Sequence, residues 1–151
     1  MVGYCFRRKP ADLKGPFMPG CVLRVSGDEF DPQEFLTSSV FNACNVFRKG
    51  ERRGQTSTWS TSGFTVEVSA ASGDDLAQQI KDTIEFLHVN REEIIRLNGT
   101  RGLLEIGLDF GINRRNVFVQ NNYLPPELIK LAAALEIGIE ISIYGEPDRE
   151  G

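Results

Sequence analysis

The sequence predicts an α+β domain in which helices pack on one face of a mainly antiparallel sheet, a two-layer sandwich. Four stretches alternate apolar with polar residues: Cys21–Val25, Phe64–Val68, Leu104–Phe110 and Ile137–Tyr144. Successive strand side chains point to opposite faces, so each stretch reads as a half-buried strand. Between them lie helical patterns, led by Leu76, Ile80, Ile84 and Leu87 at the spacing of one helix face. A sheet covered on both faces would show continuous apolar runs instead, so the helices belong on one side.

Each element has its own justification. The first strand covers about Cys21 to Ser26 and stops at Gly27-Asp28. Asp31-Pro32-Gln33-Glu34 is a helix start, with Asp as cap and Pro at the first helical position. That helix is short and ends near Ser38-Ser39. A brief strand over Val40 to Phe47 precedes a basic loop, Arg48 to Gly54, and a Ser/Thr segment around Trp59. The strand from Phe64 follows, then the main helix opened by Ser72-Gly73-Asp74-Asp75, whose acids suit the positive end of the dipole. Asn90 with Glu93 signals a second start, and Asn98-Gly99 suits a left-handed stop. Leu103 to Phe110 and Val117 to Gln120 read as two strands around a basic tip. Leu124-Pro125-Pro126-Glu127 starts the last helix, and Ile137 to Tyr144 closes the domain. The expected organisation is an N-terminal arm over 1–20, one domain over 21–145 and a flexible tail over 146–151.

Composition sets bounds on function. At 151 residues with 40% hydrophobic and 25% charged residues, the chain suits one globular domain. No apolar run reaches the roughly 20 residues of a membrane span, and the basic residues after the short apolar start are the reverse of a secretory signal. A cytoplasmic protein without membrane association is expected. Three cysteines at wide spacing disfavour a disulfide framework or a metal site, and Cys21 and Cys44 read as buried thiols. His88 is the single histidine, placed where it complements the end of the main helix. The net charge of −4 is uneven: residues 1–60 carry 9 Lys/Arg against 6 Asp/Glu, and residues 61–151 carry 8 against 15. The negative half suggests a basic partner.

If the strands share one sheet, its outward face carries Glu67, Glu105, Asp109 and Glu140, with Arg24 as the one basic member. Glu105 and Asp109 lie about 13 Å apart on one strand, too far for an acid–base pair by themselves. The plain reading is a solvated face with staggered acids; the functional one is a docking surface for a cationic protein. A hard-metal site is a third. Trp59 is either a core anchor or an exposed hot-spot residue, with the balance toward the core or its edge. The basic loop lacks interleaved aromatics and its glycines do not form a phosphate loop, so nucleic acid is not an expected partner. No residue qualifies as catalytic, and no cofactor or metal is implied.

The order of features resembles a family of small bacterial proteins known mainly as a domain of unknown function. The matching residues are Ser26-Gly27-Asp28, Asp31-Pro32, Lys49-Gly50, the Trp59 segment and the closing Ile143-Tyr144, spanning about residues 20 to 145. The resemblance carries no catalytic residues. By analogy with proteins of this size and acidity, it implies an immunity protein that neutralises a toxin used in bacterial competition. The expectation is therefore a non-enzymatic binding protein, a monomer or homodimer. It would engage a basic toxin domain through Glu67, Glu105, Asp109 and Glu140, with Trp59 and Tyr144 as anchors. The alternatives are a small-molecule-binding regulatory domain and a metal-dependent hydrolase.

Overall fold

Strand β1 (Cys21–Gly27) sits in the middle of a five-stranded sheet, so its alternation sets what each face of the sheet carries. The computed structural model describes residues 20–145. The arm expected over 1–20, Gly20 apart, and the tail expected over 146–151 lie outside the described residues. In chain order the elements after β1 are α1 (Pro32–Thr37), β2 (Ala43–Phe47), β3 (Arg52–Arg53), β4 (Ser57–Thr58) and β5 (Ser62–Ser69). They continue with α2 (Leu76–Val89), α3 (Arg91–Asn98), β6 (Leu103–Asn113), α4 (Pro126–Ala134) and β7 (Gly138–Tyr144). The sheet order is β2-β5-β1-β6-β7, and β3 with β4 forms a separate small hairpin. The β2–β5, β5–β1 and β1–β6 pairings are antiparallel, and β6–β7 is parallel because α4 carries the chain back between them.

The helices cover one face, as the alternation requires. Cys21, Leu23 and Val25 of β1 are fully buried, alongside Phe64, Val66, Ile106, Leu108 and Phe110 from the flanking strands. Ile80 and Leu87 of α2, Ile94 and Leu97 of α3, and Leu128 and Ala132 of α4 meet them from the helix layer. Phe64 is the hub, with its ring 6.1 Å from Phe30, 5.8 Å from Phe35 and 6.4 Å from Phe41. The Gln79 amide donates to the Ser72 and Gly111 carbonyls, both at 2.9 Å, tying the start of α2 to the far end of β6. Burial pushes the Cys21 thiol up to about 12, so it stays protonated at neutral pH. Cys44, half-buried on β2, is disulfide-bonded, which departs from the expected free thiol.

Local signals were met unevenly. Asp31 caps α1 as expected, accepting from the Gln33 and Glu34 amides at 3.0 and 3.1 Å. Asp75 caps α2 through the Gln78 amide. Asn90 does not cap α3 with its side chain, which instead donates to the Phe86 carbonyl and closes α2. Gly99 is right-handed at φ −84°; the left-handed residue is Gly102, at φ 81° in the turn into β6. Val117 to Gln120 is not a strand. β6 runs on to Asn113, and the segment after it forms no ladder, leaving Phe118 fully exposed.

Truncating the hub of the core gives a direct test of this packing. Phe64→Ala is expected to cost about 3–5 kcal/mol, as aromatic deletions in closed cores do. Urea denaturation followed by circular dichroism should show the midpoint fall with little change in slope.

Candidate functional site

The residues of β1 that do not enter the core, Val22, Arg24 and Ser26, point outward and organise the opposite face. Residues directly opposed on neighbouring strands share a face, so the register places three expected acids in one row. Glu67 opposes Val22, Val22 opposes Asp109, and Asp109 opposes Glu140. The adjacent row runs Thr65, Arg24, Gly107, Gly138, and the next runs Gly63, Ser26, Glu105. Glu67, Glu105, Asp109 and Glu140 therefore lie on one sheet face with Arg24 among them, as the alternation predicts.

Their roles differ. Arg24 donates to Asp109 Oδ2 at 3.2 Å and pairs with Glu140 at 3.5 Å. Ser142 donates to the other Asp109 oxygen at 2.7 Å. The Asp109 side chain is only 12% exposed, against 63% for Glu140. Asp109 is thus held by two donors and largely withdrawn from water. Glu67 and Glu105 are exposed, and among the described residues neither has a cationic partner. Glycines in the second row leave a hollow of about 80 Å³ walled by Arg24, Ser26, Glu105, Asp109 and Glu140. A Cβ built on Gly107 would meet nothing closer than Glu105 Oε1 at 3.8 Å. The hollow suits the head of one side chain and falls well below the roughly 300 Å³ of a small-molecule pocket.

Trp59 and Tyr144 stand at opposite limits of this face. Tyr144 follows Glu140 and Ser142 in the outward register and is 39% exposed at the end of β7. Trp59 lies at the far corner, partly buried. Phe47 opposes Gly63 and so belongs to the outward side, where that glycine's missing side chain admits the ring. Trp59 stacks on Phe47 at 4.0 Å, and the Arg53 guanidinium lies 4.5 Å over Trp59. The cations of the basic loop are similarly engaged, Lys49 with Asp28 at 2.6 Å and Arg48 with Asp31 at 4.0 Å. His88 is exposed in the last turn of α2. Among the described residues no group of three or more His, Cys, Asp or Glu is placed to hold a metal ion.

Sequence reasoning missed a larger cleft, of about 430 Å³, between α1 and α3. Its wall includes Glu34, Phe35, Ser38, Arg96 and Arg101. Arg96 is fixed in place: it donates to Glu93 at 2.7 and 3.0 Å and lies 4.2 Å over the Phe35 ring. Ser39 donates to the same carboxylate at 2.6 Å. The i, i+3 spacing of Glu93 and Arg96 announces the pair, but nothing local announces α1 as the opposite wall.

An α+β two-layer fold, with helices behind and a net-acidic sheet face in front, is the class this architecture defines. The chain belongs to the family described as a domain of unknown function (DUF4279), whose model matches residues 17–146. No curated protein and no solved structure matches it.

Glu93 offers a pH test of the second cleft. The Arg96 hydrogen bond, aided by Ser39, holds its carboxyl below the ordinary value of 4.5. A lowered folded pKa adds stability that is present above the unfolded value and lost as pH falls through the folded one. Glu93→Gln should therefore destabilise the protein at neutral pH and flatten the loss of stability below about pH 4.5. Urea midpoints measured at pH 7 and in the acid range would show it.

Proposed function

We propose that this protein is a non-enzymatic binding protein, an immunity protein that neutralises a cognate toxin domain by presenting its outward sheet face to a basic partner. The observation that carries the reading is the combination of Glu67, Glu105 and exposed Glu140 on one rigid face, with an open hollow between Glu105 and Glu140. Four carboxylates there face one guanidinium. Such a field speeds capture of a cation-bearing surface and disfavours acidic competitors. A lysine or arginine of the partner fits the hollow beside Asp109, which Arg24 and Ser142 already hold. Tyr144 is the proposed anchor at one end of the contact. The toxin-directed role rests on analogy of size and acidity, and a cytosolic location is part of the same proposal.

Charge reversal tests the surface. Glu67→Lys, Glu105→Lys and Glu140→Lys together should abolish capture of the partner from a lysate of the source cell while leaving the thermal transition in place. The wild-type complex should weaken as salt rises. Capture untouched by the triple change would remove this face from the contact.

The cleft between α1 and α3 favours a second reading, a small-molecule-binding regulatory domain, because its volume lies in the range of ligand pockets. On that reading a metabolite panel raises the unfolding temperature of the wild type by mass action and does not raise that of Arg101→Glu. Equal shifts for both proteins would count against it.

A further inference from the structure

Strand β7 ends the sheet on one side, and among the described residues no strand pairs with its outer edge. An open edge is a template for another strand, and edges that stay alone are shortened, bulged or armed with Lys or Pro. The opposite outer strand, β2, has such protection: it is five residues long, its register with β5 is irregular, and Trp59 stacks on its Phe47. β7 has none. It reads Gly-Ile-Glu-Ile-Ser-Ile-Tyr over seven residues and pairs with β6 without a bulge. Ile141 and Ile143 belong to the helix-side register, opposite Phe110 and Ile112, yet are 37% and 58% exposed. The apolar layer under the sheet therefore runs past the last helix to an uncovered border.

We propose that β7 pairs antiparallel with β7 of a second copy of this chain, joining two sheets into one of ten strands. The strand itself argues for this occupant. An antiparallel pairing centred on Ile141 matches all seven positions: Ile141 with Ile141, Ile139 with Ile143, Glu140 with Ser142, Gly138 with Tyr144. No like charges oppose, and the aromatic ring falls across from the glycine. Centring on Glu140 would set two carboxylates face to face. A slip to an odd register would turn the second helix layer to the other side of the sheet and expose the isoleucines. In the proposed register both helix layers lie on one side and both acidic faces on the other, so the dimer leaves the face described above free. The inference stands independently of the proposed function.

Light scattering on a gel-filtration column, over a dilution series of the full chain, reads the assembly state directly. The wild type should show twice the chain mass, and Ile141→Lys should show the single mass with an unchanged circular dichroism spectrum. Ile141→Cys, at the symmetry axis, should form a covalent dimer on mild oxidation, whereas Ile129→Cys on the exposed side of α4 should not. A wild-type monomer throughout the series would overturn the proposal, whether or not it binds a foreign extended peptide. So would a dimer that survives Ile141→Lys and gives no cross-link through Cys at position 141.

Discussion

Arg24 is the interaction on which the outward face depends. Asp109 and Glu140 oppose each other directly on β6 and β7, and like charges so placed destabilise a sheet. The guanidinium reaches both, at 3.2 and 3.5 Å, from the strand next to β6. An isolated exposed ion pair contributes about 0–1 kcal/mol. Here one partner, Asp109, is largely withdrawn from water and is further fixed by Ser142, so losing Arg24 would leave a half-buried charge short of its donor. The same arginine limits how acidic the centre of the face is, pushing the free negative charge outward to Glu67, Glu105 and the exposed edge of Glu140.

That arrangement is locked by the core. The register of β1 puts Cys21, Leu23 and Val25 under the helices and Val22, Arg24 and Ser26 outside. A slip of one residue would bury Arg24 and expose three apolar side chains, an exchange far costlier than any ion pair on the surface could offset. The acids are thus positioned by the hydrophobic effect acting on their neighbours. Their mutual spacing follows from strand geometry, with side-chain flexibility the main freedom left.

Much of this was legible in the residues because alternation reports directly which side chains share a face. Glu67, Glu105, Asp109 and Glu140 came together for that reason, and Asp31-Pro32 fixed the start of α1 through local chemistry alone. What escaped was set by partners distant in the chain. The parallel pairing of β6 with β7 leaves no local trace, and Val117 to Gln120 has strand composition without a neighbouring edge to pair with. The withdrawal of Asp109 into a bond with Ser142 joins residues 33 positions apart. The strand expected over Val40 to Phe47 gave no sign that Phe47 lies on the outward side, where β2 shifts register against β5 and Gly63 makes room for the ring. The cleft between α1 and α3 unites residues more than fifty positions apart, and Cys44 showed no spacing that marks a disulfide.

The split between held and free acids bears on how a binding face of this kind would work. A carboxylate already committed to Arg24 and Ser142 gains little from a visiting cation, because the visitor must compete with donors that cost nothing to reorganise. Glu67 and Glu105 carry no such commitment, so on the proposed reading they would contribute long-range attraction, which salt screens and which sets how fast a partner arrives. On the proposed reading the hollow over Gly107 would govern how long it stays, since there an incoming side chain would be walled by protein. Removing the free acids and filling the hollow would therefore act on different halves of the proposed affinity, association for the first and dissociation for the second. A Gly107→Ala change probes the second half alone: a methyl group there makes only ordinary contacts, with Glu105 Oε1 at 3.8 Å and the Gly138 carbonyl at 3.9 Å, and leaves every charge in place.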